Sequence, residues 1–252
     1  MTAITTLPEP LYAVGYKEYR RAHLYTVGSD QYPSVTKILG IIGGGKTNAL
    51  MIWARRAALK LAESELVAEL TQGRTITVEV LGPILARADR QPDKIKTDAG
   101  DLGQRVHSAI DDYIVGKPPR LEADTQQGFD NFMAWLNRES MQLIQGDTVV
   151  ASVNYGFGGR LDALAVKDDQ VVLLDWKTSN AMREEYPLQV AAYAVALQET
   201  YGISVKKAFV VRFGKKTAGD FEPCEVNLPL AWEGFHAALK LHHSMRADLW
   251  VK

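Results

Sequence analysis

The sequence predicts a mixed α/β (α+β) fold, in which a mixed sheet is flanked by helices and preceded by a helical N-terminal elaboration. Two observations lead to this expectation. Apolar residues recur with helical spacing through most of the first 145 residues, and after that they alternate in three consecutive strand-like runs. A helix then separates those runs from two further strands and a last helix, an order typical of a sheet with helices packed on it.

The first predicted elements are short. Residues 19–27 alternate as a strand does and are followed by the turn GSD. Ser34 is a suitable N-cap for a short helix that ends at Gly40. Residues 47–66 then follow a strong helical pattern, so we expect two helices in succession here.

Residues 71–99 are polar and contain Pro83 and Pro92, so we expect a linker or a mobile insertion there. This divides the chain into an N-terminal elaboration with its linker (1–98) and a core (99–252). The elements predicted in the core are helices over 99–116 and 125–145, strands over 147–153, 157–166 and 170–178, a helix over 184–202, strands over 205–213 and 221–227, and a helix over 229–249.

The composition excludes several classes of protein. A chain of 252 residues with 46% apolar residues can bury a sizeable core, and its net charge of −1 means that any affinity for nucleic acid must come from a local basic patch. The single cysteine, Cys224, is too few for an internal disulfide, a CxxC zinc site or an iron–sulfur cluster, and favours a reducing compartment. The N-terminus does not resemble a secretory signal, and no stretch approaches the ~20 apolar residues of a membrane span.

The stretch GIIGGGKT (40–47) fits the phosphate-loop pattern of nucleotide-binding proteins, and Asp175 after an apolar strand could be the magnesium-binding residue of such an ATPase. A phosphate loop lies between a buried strand and a helix. What precedes Gly40 is better suited to a helix, and Trp176 stands where an ATPase commonly has Glu. We therefore expect the glycines to form a flexible turn between two helices, and we regard the ATPase as the weakest hypothesis.

Two carboxylates and a lysine are the centre of the candidate site. In a strand over 170–178, Asp175 and Lys177 share a face. If residues 167–170 form a hairpin loop, Val166 pairs with Val171, and Asp162 then lies opposite Asp175. Like charges in that position destabilise a sheet unless a cation lies between them, and oxygen ligands favour Mg²⁺ or Mn²⁺.

With a metal there, a neighbouring lysine can position a water molecule or stabilise charge on a phosphate, which is the equipment for metal-assisted hydrolysis of a phosphodiester. The alternative is that the two aspartates merely end their strands and one of them forms a salt bridge with Lys177.

The motifs GGRLD, VVLLDWKTS and QVAAY, in this order, resemble the PD-(D/E)xK nuclease superfamily, and more narrowly its RecB-like exonuclease branch, which includes mitochondrial genome maintenance exonucleases and phage exonucleases. The upstream segment GDLGQRVHSAI resembles the histidine-bearing helix of that branch. The resemblance implies a restriction-endonuclease-like sheet. It also implies His107, Asp162, Asp175 and the backbone carbonyl of Trp176 as metal ligands, with Lys177 as the catalytic lysine.

Gln189 and Tyr193 would line this site in the related proteins. Their spacing agrees, because positions i and i+4 share a helix face, although core packing alone would also explain Tyr193. Members of the branch often carry an acid before the G-x-x-D strand that helps bind a second metal. Here Ser152 stands near that position and Asp147 is the nearest upstream acid, which favours a single tightly bound metal.

A nuclease needs contacts to a polyanion. The basic residues that we expect to supply them surround one predicted strand and its turn: Lys206, Lys207, Arg212, Lys215 and Lys216. The leading hypothesis is a Mg²⁺- or Mn²⁺-dependent DNA exonuclease without an iron–sulfur cluster. It would act in replication, recombination or repair, on single-stranded DNA or duplex ends, in the cytoplasm of a bacterium or phage-infected cell.

An organellar location, an RNA substrate and a partner such as a recombinase or single-strand binding protein stay open. The alternative hypothesis is a nuclease-fold module that binds DNA without cutting it, which the intact D-x-K motif disfavours and Ser152 favours.

Overall fold

The structure, a computed structural model, describes residues 6–19, 22–214 and 219–245. Its elements in chain order are β1 (Gly15–Tyr19), β2 (Ala22–Val27), β3 (Asp30–Pro33), α1 (Val35–Leu39), a 3₁₀ helix (Gly40–Gly43), α2 (Gly44–Thr71), α3 (Val78–Ile114), α4 (Gln126–Arg138), β4 (Gln142–Ser152), β5 (Phe157–Lys167), β6 (Gln170–Thr178), α5 (Glu185–Tyr201), β7 (Lys207–Phe213), β8 (Phe221–Glu225) and α6 (Leu228–Ser244). The chain forms two compact units, one over Ile42–Asp101 and the other from the remainder.

A five-stranded sheet in the order β4-β5-β6-β7-β8 forms the centre of the larger unit. The pair β6–β7 is parallel and the other pairs are antiparallel. The parallel pair is possible because α5 returns the chain to the end of the sheet at which β6 begins, so β7 runs in the same direction. The predicted mixed sheet flanked by helices is confirmed. A separate three-stranded sheet, β1-β2-β3, belongs to the same unit.

Each face of the five-stranded sheet is covered by its own apolar cluster. Residues of α1, α5 and α6 pack on one face with Leu173 of β6. Residues of α4 and of the C-terminal part of α3 pack on the other face with Val172 and Trp176. The alternation predicted for β6 is therefore present, and its two sets of side chains enter two different cores.

The hairpin between β5 and β6 has the predicted register, with Val166 opposite Val171. The loop contains two residues rather than four, because Lys167 also pairs with Gln170. Asp168 and Asp169 form it with φ of 50° and 58°, the left-handed conformation that two-residue hairpin turns require and that Asp tolerates better than most residues.

Residues 71–99 are mainly helical, so the predicted linker is wrong as a description of their structure. Val78–Ile114 is one helix although Pro83 and Pro92 lie within it. Ile84 and Ala88 are buried and pack with Ala62 of α2. The burial of this apolar side stabilises the helix against the cost of the prolines, which local pattern alone cannot weigh.

A second boundary also differs from the prediction. The helix expected over 125–145 ends at Arg138, and β4 begins at Gln142. Ser140 has a φ of 54°, and the amide of Met141 donates to the carbonyl of Leu136, so the chain turns there. The apolar residues after this turn continue the pattern into the strand.

The glycine-rich stretch does not have the surroundings of a phosphate loop. The helix α1 directly precedes it, with Ser34 Oγ accepting from the amide of Lys37 at 3.1 Å as predicted for an N-cap. The glycines form a 3₁₀ helix and the first turn of α2 rather than a flexible turn. Because no strand enters the stretch, the ATPase hypothesis loses its structural basis. In the part of the chain that the structure describes, no helix combines the length and apolarity needed to cross a membrane.

Candidate active site

The candidate site lies where β5 and β6 separate. Their ladder ends at the pair Ala163 and Leu174, and the next residues are Asp162 and Asp175. The amide of Trp176 donates to Asp162 Oδ2 at 2.7 Å, so a side chain takes the place of the ladder hydrogen bond. The two carboxylates thus lie on either side of a fork in the sheet, as the predicted register requires.

Lys177 forms an ion pair with Asp175 at this fork, through Nζ and Oδ2. Only 1% of Asp175 is exposed, and its Oδ2 has no further partner among the described residues. The salt bridge that was the alternative interpretation is therefore present together with the facing carboxylates. One ammonium group lies near two carboxylates, which leaves an excess of negative charge in a poorly solvated place.

The ionisation of these groups reflects that excess. Burial raises the pKa of Asp162 to about 6, although Lys177 and the amide of Trp176 oppose the change. Burial also raises the pKa of Asp175 to about 6, and the charge of Asp162 adds to the rise. Burial alone would lower the pKa of Lys177, but Asp175 and Asp162 outweigh it, so this pKa is raised and the ammonium form persists.

His107 reaches the fork from α3. Its Nδ1 lies 3.6 Å from Asp162 Oδ1. Gly103, one turn earlier, faces the end of β6, since a Cβ there would come within 3.6 Å of the Thr178 side chain. Burial and then the charge of Lys177 lower the pKa of His107, which favours the neutral imidazole that can bind a metal.

Gln189 and Tyr193 lie together on α5, on the side of the sheet where Asp175 is buried. Gln189 Nε2 donates to the Tyr193 hydroxyl at 2.6 Å. The ring of Tyr193 packs against Gly159 of β5, where a Cβ would come within 2.3 Å of it. Burial and then the charge of Asp175 raise the pKa of Tyr193, so the phenol stays protonated. Their roles in the site remain predictions.

The described members of the predicted basic cluster are Lys206, Lys207 and Arg212, and the two lysines lie away from the fork. Lys207 pairs with Val172 in the sheet, five positions from Lys177 and roughly 16 Å along the strand. Lys206 is exposed beside it, and Lys207 Nζ lies 3.5 Å from Glu225. Lys215 and Lys216 lie outside the described residues.

Arg212 corrects the prediction of a DNA contact. It is 7% exposed, and its guanidinium donates to Glu222, to Asp220 and to the carbonyl of Ser179. Since these partners use its charge inside the protein, Arg212 does not belong to a surface for nucleic acid. The sequence does not show whether an arginine near the end of a strand will form ion pairs with acidic residues that follow it or will stay available to bind a ligand.

Asp147, and not Ser152, occupies the position of β4 across from Asp162. The β4–β5 register sets Thr148 opposite Leu161 and Gly146 opposite Ala163, which brings Asp147 across from Asp162. Ser152 is at the far end of the hairpin, where its hydroxyl donates to Glu199 at 2.6 Å. Asp147 has a φ of 43°, an uncommon conformation of the kind that is concentrated at functional sites. Ser152 therefore gives no reason to doubt a two-metal mechanism.

Two residues beside the fork were not found by the sequence analysis. Asp111 lies one turn after His107 on α3, and burial raises its pKa. Arg160 lies on β5 two residues before Asp162, with Nε 2.9 Å from Asp147 Oδ1. The spacing of Asp111 from His107 was a visible signal, whereas Arg160 depends on which strand end faces the fork.

The donor atoms fit a hard divalent cation in their chemistry. Two carboxylates with raised pKa and a neutral imidazole would all gain from a bound cation. Within residues 6–19, 22–214 and 219–245, however, no three His, Cys, Asp or Glu side chains are grouped closely enough to hold an ion as they stand. Lys177 supplies the positive charge in the arrangement seen here.

Comparison with known proteins gives a family match over part of the chain. Residues 129–245 match the family model of the PD-(D/E)XK nuclease superfamily, a span that includes Asp162, Asp175 and Lys177 but not His107. One polypeptide of the ATP-dependent helicase/nuclease from strains of Streptococcus pyogenes is 30% identical over 121 residues. That alignment covers 45% of this chain and 10% of the relative, so the chain corresponds to about a tenth of the length of the curated relatives it matches.

Solved structures show more distant likeness. A candidate exonuclease from Eubacterium rectale matches with a TM-score of 0.42 and 14% identity, covering 57% of this chain and 66% of the other. An alkaline exonuclease from Laribacter hongkongensis matches with a TM-score of 0.30 and 13% identity, covering 57% and 82%. Residues 129–245, a span that contains the motifs at the fork, therefore match the PD-(D/E)XK nuclease superfamily.

Proposed function

We propose that this protein is a divalent-metal-dependent nuclease that hydrolyses phosphodiester bonds of DNA, and that it acts from a strand end as an exonuclease. The observation that carries the proposal is the meeting of Asp162, Asp175 and Lys177 at the fork of the sheet, inside a nuclease-superfamily domain. The preference for strand ends is supported by the motifs shared with RecB-like exonucleases. Replication, recombination or repair is the setting such an activity would serve.

Asp162, Asp175, His107 and the carbonyl of Trp176 would hold Mg²⁺ or Mn²⁺. Bound there, the ion supplies Lewis acidity toward a phosphate oxygen and lowers the pKa of a bound water molecule. The two aspartates would bind the ion in their ionised forms. Because burial raises the pKa of both carboxyls to about 6, their ionised forms are unfavourable in the protein alone, and a bound cation would stabilise them near neutral pH. The neutral His107 offers a lone pair that a protonated imidazole would lack.

Lys177 remains an ammonium group and is poorly exposed, so it can donate to the attacking water or to a phosphate oxygen with little competition from solvent. Hydrolysis forms a bond between the water oxygen and phosphorus while the bond to the leaving sugar oxygen breaks. Gln189 and Tyr193 close the α5 side of the fork, where the phenol keeps its proton and excludes water from Asp175.

The test is to incubate the protein with end-labelled single- and double-stranded DNA in Mg²⁺, Mn²⁺ or EDTA. We expect metal-dependent release of short products by the wild type, and their loss in Asp175→Asn. The matched control is Asp130→Asn, which makes the same change on an exposed face of α4. A covalently closed circular DNA distinguishes an exonuclease from an endonuclease. An exonuclease needs a strand end and therefore leaves the circle intact, whereas an endonuclease cuts it.

Wild-type protein that binds DNA and never cuts it would instead establish the non-cutting module. Cleavage that persists in Asp175→Asn would remove the fork from the mechanism. DNA recovered with a bound recombinase or single-strand binding protein, and cell fractionation, are separate measurements that address the proposed partner and the proposed cytoplasmic location.

A further inference from the structure

Arg160 has surroundings that hold its guanidinium in a defined place beside the fork. One side carries the ion pair with Asp147, and the guanidinium carbon lies 5.3 Å from the centre of the Tyr16 ring. The side chain is 47% exposed, so part of its donor edge faces solvent. An arginine between a carboxylate and an aromatic ring loses little freedom when it binds a further anion.

The small sheet exists next to β5 because a glycine allows it. A Cβ at Gly158 would come within 2.3 Å of Tyr25, so β2 approaches β5 more closely than any other residue would permit. Tyr25 pairs with Tyr16 in the β1–β2 ladder, and their rings are 5.4 Å apart. The Tyr16 hydroxyl is in turn hydrogen-bonded to His23 Nδ1 at 2.7 Å. This chain of contacts fixes the ring over which Arg160 lies.

The charges at the fork give Arg160 a particular importance for a polyanion. Four carboxylates lie in this region: those of Asp111, Asp147, Asp162 and Asp175. Lys177 and Arg160 are the basic side chains whose charge acts on both His107 and Asp162. Lys177 is largely buried in its pair with Asp175, whereas Arg160 is half-exposed. Of the basic residues predicted from the sequence, Lys206 and Lys207 lie away from the fork and the guanidinium of Arg212 is buried against its own partners.

We propose, resting on the nuclease function above, that Arg160 binds a backbone phosphate of the DNA strand that enters the site. Asp147 is its partner in the absence of DNA, and the phosphate takes the place of that carboxylate. Tyr16 keeps the guanidinium plane oriented during the exchange. The planar fork of an arginine matches two phosphate oxygens at once, which an ammonium group cannot do.

The first experiment measures binding of an end-labelled single-stranded oligonucleotide by fluorescence anisotropy in EDTA, where cleavage cannot interfere. Arg160→Gln should weaken binding by about tenfold, the loss expected for a hydrogen-bonded charged group. For the Arg160→Gln variant, the logarithm of the DNA-binding constant should fall less steeply with the logarithm of the salt concentration. The slope should be less negative than that of the wild type by about 0.7, the contribution of one phosphate contact on a single strand. Arg138→Gln removes the same charge at the end of α4 and should leave both values as in the wild type.

The second experiment tests the exchange of partners. Asp147→Asn should tighten DNA binding, because Arg160 no longer has a competing carboxylate. That gain should disappear when Arg160→Gln is also present, whereas a general effect of removing negative charge would survive in the double variant. Arg160→Lys should retain the salt slope with weaker binding, and it serves as a second probe if Arg160→Gln has a lowered melting temperature.

With metal present, Arg160→Gln should raise KM more than it lowers kcat. Binding by Arg160→Gln and Arg160→Lys equal to that of the wild type would overturn the proposal and leave Arg160 as an ion-pair partner only. Cleavage that needs metal and Asp175 while Arg160 variants bind normally would keep the nuclease and reject only this inference. Failure of the wild type to cut, with Arg160-dependent binding intact, would reject the nuclease instead.

Discussion

Two clusters of charged side chains, one around buried Asp175 and the other around buried Arg212, lie on neighbouring strands and differ in how their charges are matched. Lys177 of β6 and Arg212 of β7 are register partners in the parallel ladder. Arg212 donates to Asp220, Glu222 and a backbone carbonyl, and the guanidinium lowers the pKa of Asp220. At the fork, Asp162 and Asp175 have raised pKa in spite of Lys177.

The opposite directions of these pKa changes distinguish structural charge from functional charge. Around Arg212 the carboxylate of Asp220 is stabilised as an ion, and the guanidinium has hydrogen-bond partners on all sides. At the fork the ionised forms of the carboxylates are destabilised, so a further cation bound there would lower their free energy. A buried arginine with all its partners thus indicates a stabilising contact, and a buried excess of one sign indicates a ligand site.

The largest expected effect is on cleavage at the fork. Lys177→Ala and Asp175→Asn should each lower kcat by at least about 10²-fold, because they remove a charge that acts on the reacting phosphate. Arg212→Met should leave kcat within a few-fold of the wild type. Single-turnover cleavage of labelled DNA measures all three. Equal losses for Lys177→Ala and Arg212→Met would erase the distinction between the clusters.

The next effect is on stability and concerns Arg212. Arg212→Met should lower the free energy of unfolding by about 2 kcal/mol, since it leaves a buried carbonyl and two acids without their donor. Urea unfolding followed by circular dichroism measures this change. Arg120→Met, at a nearly fully exposed position, is the control and should leave stability unaltered. An unaltered stability in Arg212→Met would show that Asp220 and Glu222 are satisfied by solvent.

A smaller effect should appear in the pH dependence without metal. Because the folded pKa of Asp162 and Asp175 is about 6 and the ordinary value is 3.8, the folded state holds these protons more strongly. Stability should therefore fall as pH rises from about 4 to 6 and then level off. Mn²⁺ should raise the melting temperature more at pH 7 than at pH 5. Each kcal/mol that bound Mn²⁺ adds to the free energy of unfolding should raise the melting temperature by about 2–4 °C.

Differential scanning fluorimetry in EDTA and in Mn²⁺ measures that effect. In Asp162→Asn the fall between pH 4 and 6 should be shallower, and the response to Mn²⁺ should be reduced. Asp220→Asn is the control, because its carboxyl has a lowered pKa and lies outside the fork. The same Mn²⁺ response in Asp162→Asn as in the wild type would place metal binding elsewhere.

The smallest effect concerns the helix that closes the fork. Tyr193→Phe removes the hydroxyl that accepts from Gln189 and should cost about 1 kcal/mol of stability. Cleavage should fall only several-fold, because the ring still covers Gly159. Thermal melting and steady-state cleavage together measure these changes. A loss as large as that of Lys177→Ala would give the hydroxyl a direct part in the reaction.

Local patterns predicted the β5–β6 hairpin well. Its strands alternate with period two, and a turn of two aspartates sets the register, so Asp162 and Asp175 could be brought together from sequence alone. Ser152 was misplaced because the position across from Asp162 must be counted through the β4–β5 turn, which leads to Asp147. Residues 71–99 were misjudged because proline weighs heavily in local propensity and the buried side of α3 does not.

The sequence by itself determined the order of elements from β4 onward, the mixed sheet, the facing carboxylates and the lysine beside them, because each follows from short-range periodicity and turn chemistry. Only the tertiary structure decided which charges are used. It turned Arg212 toward Asp220 and Glu222, and it brought His107 and Asp111 to the fork from α3. It also set Arg160 between Asp147 and Tyr16. Such pairings join residues of different elements, and their energies depend on burial, which no local pattern contains.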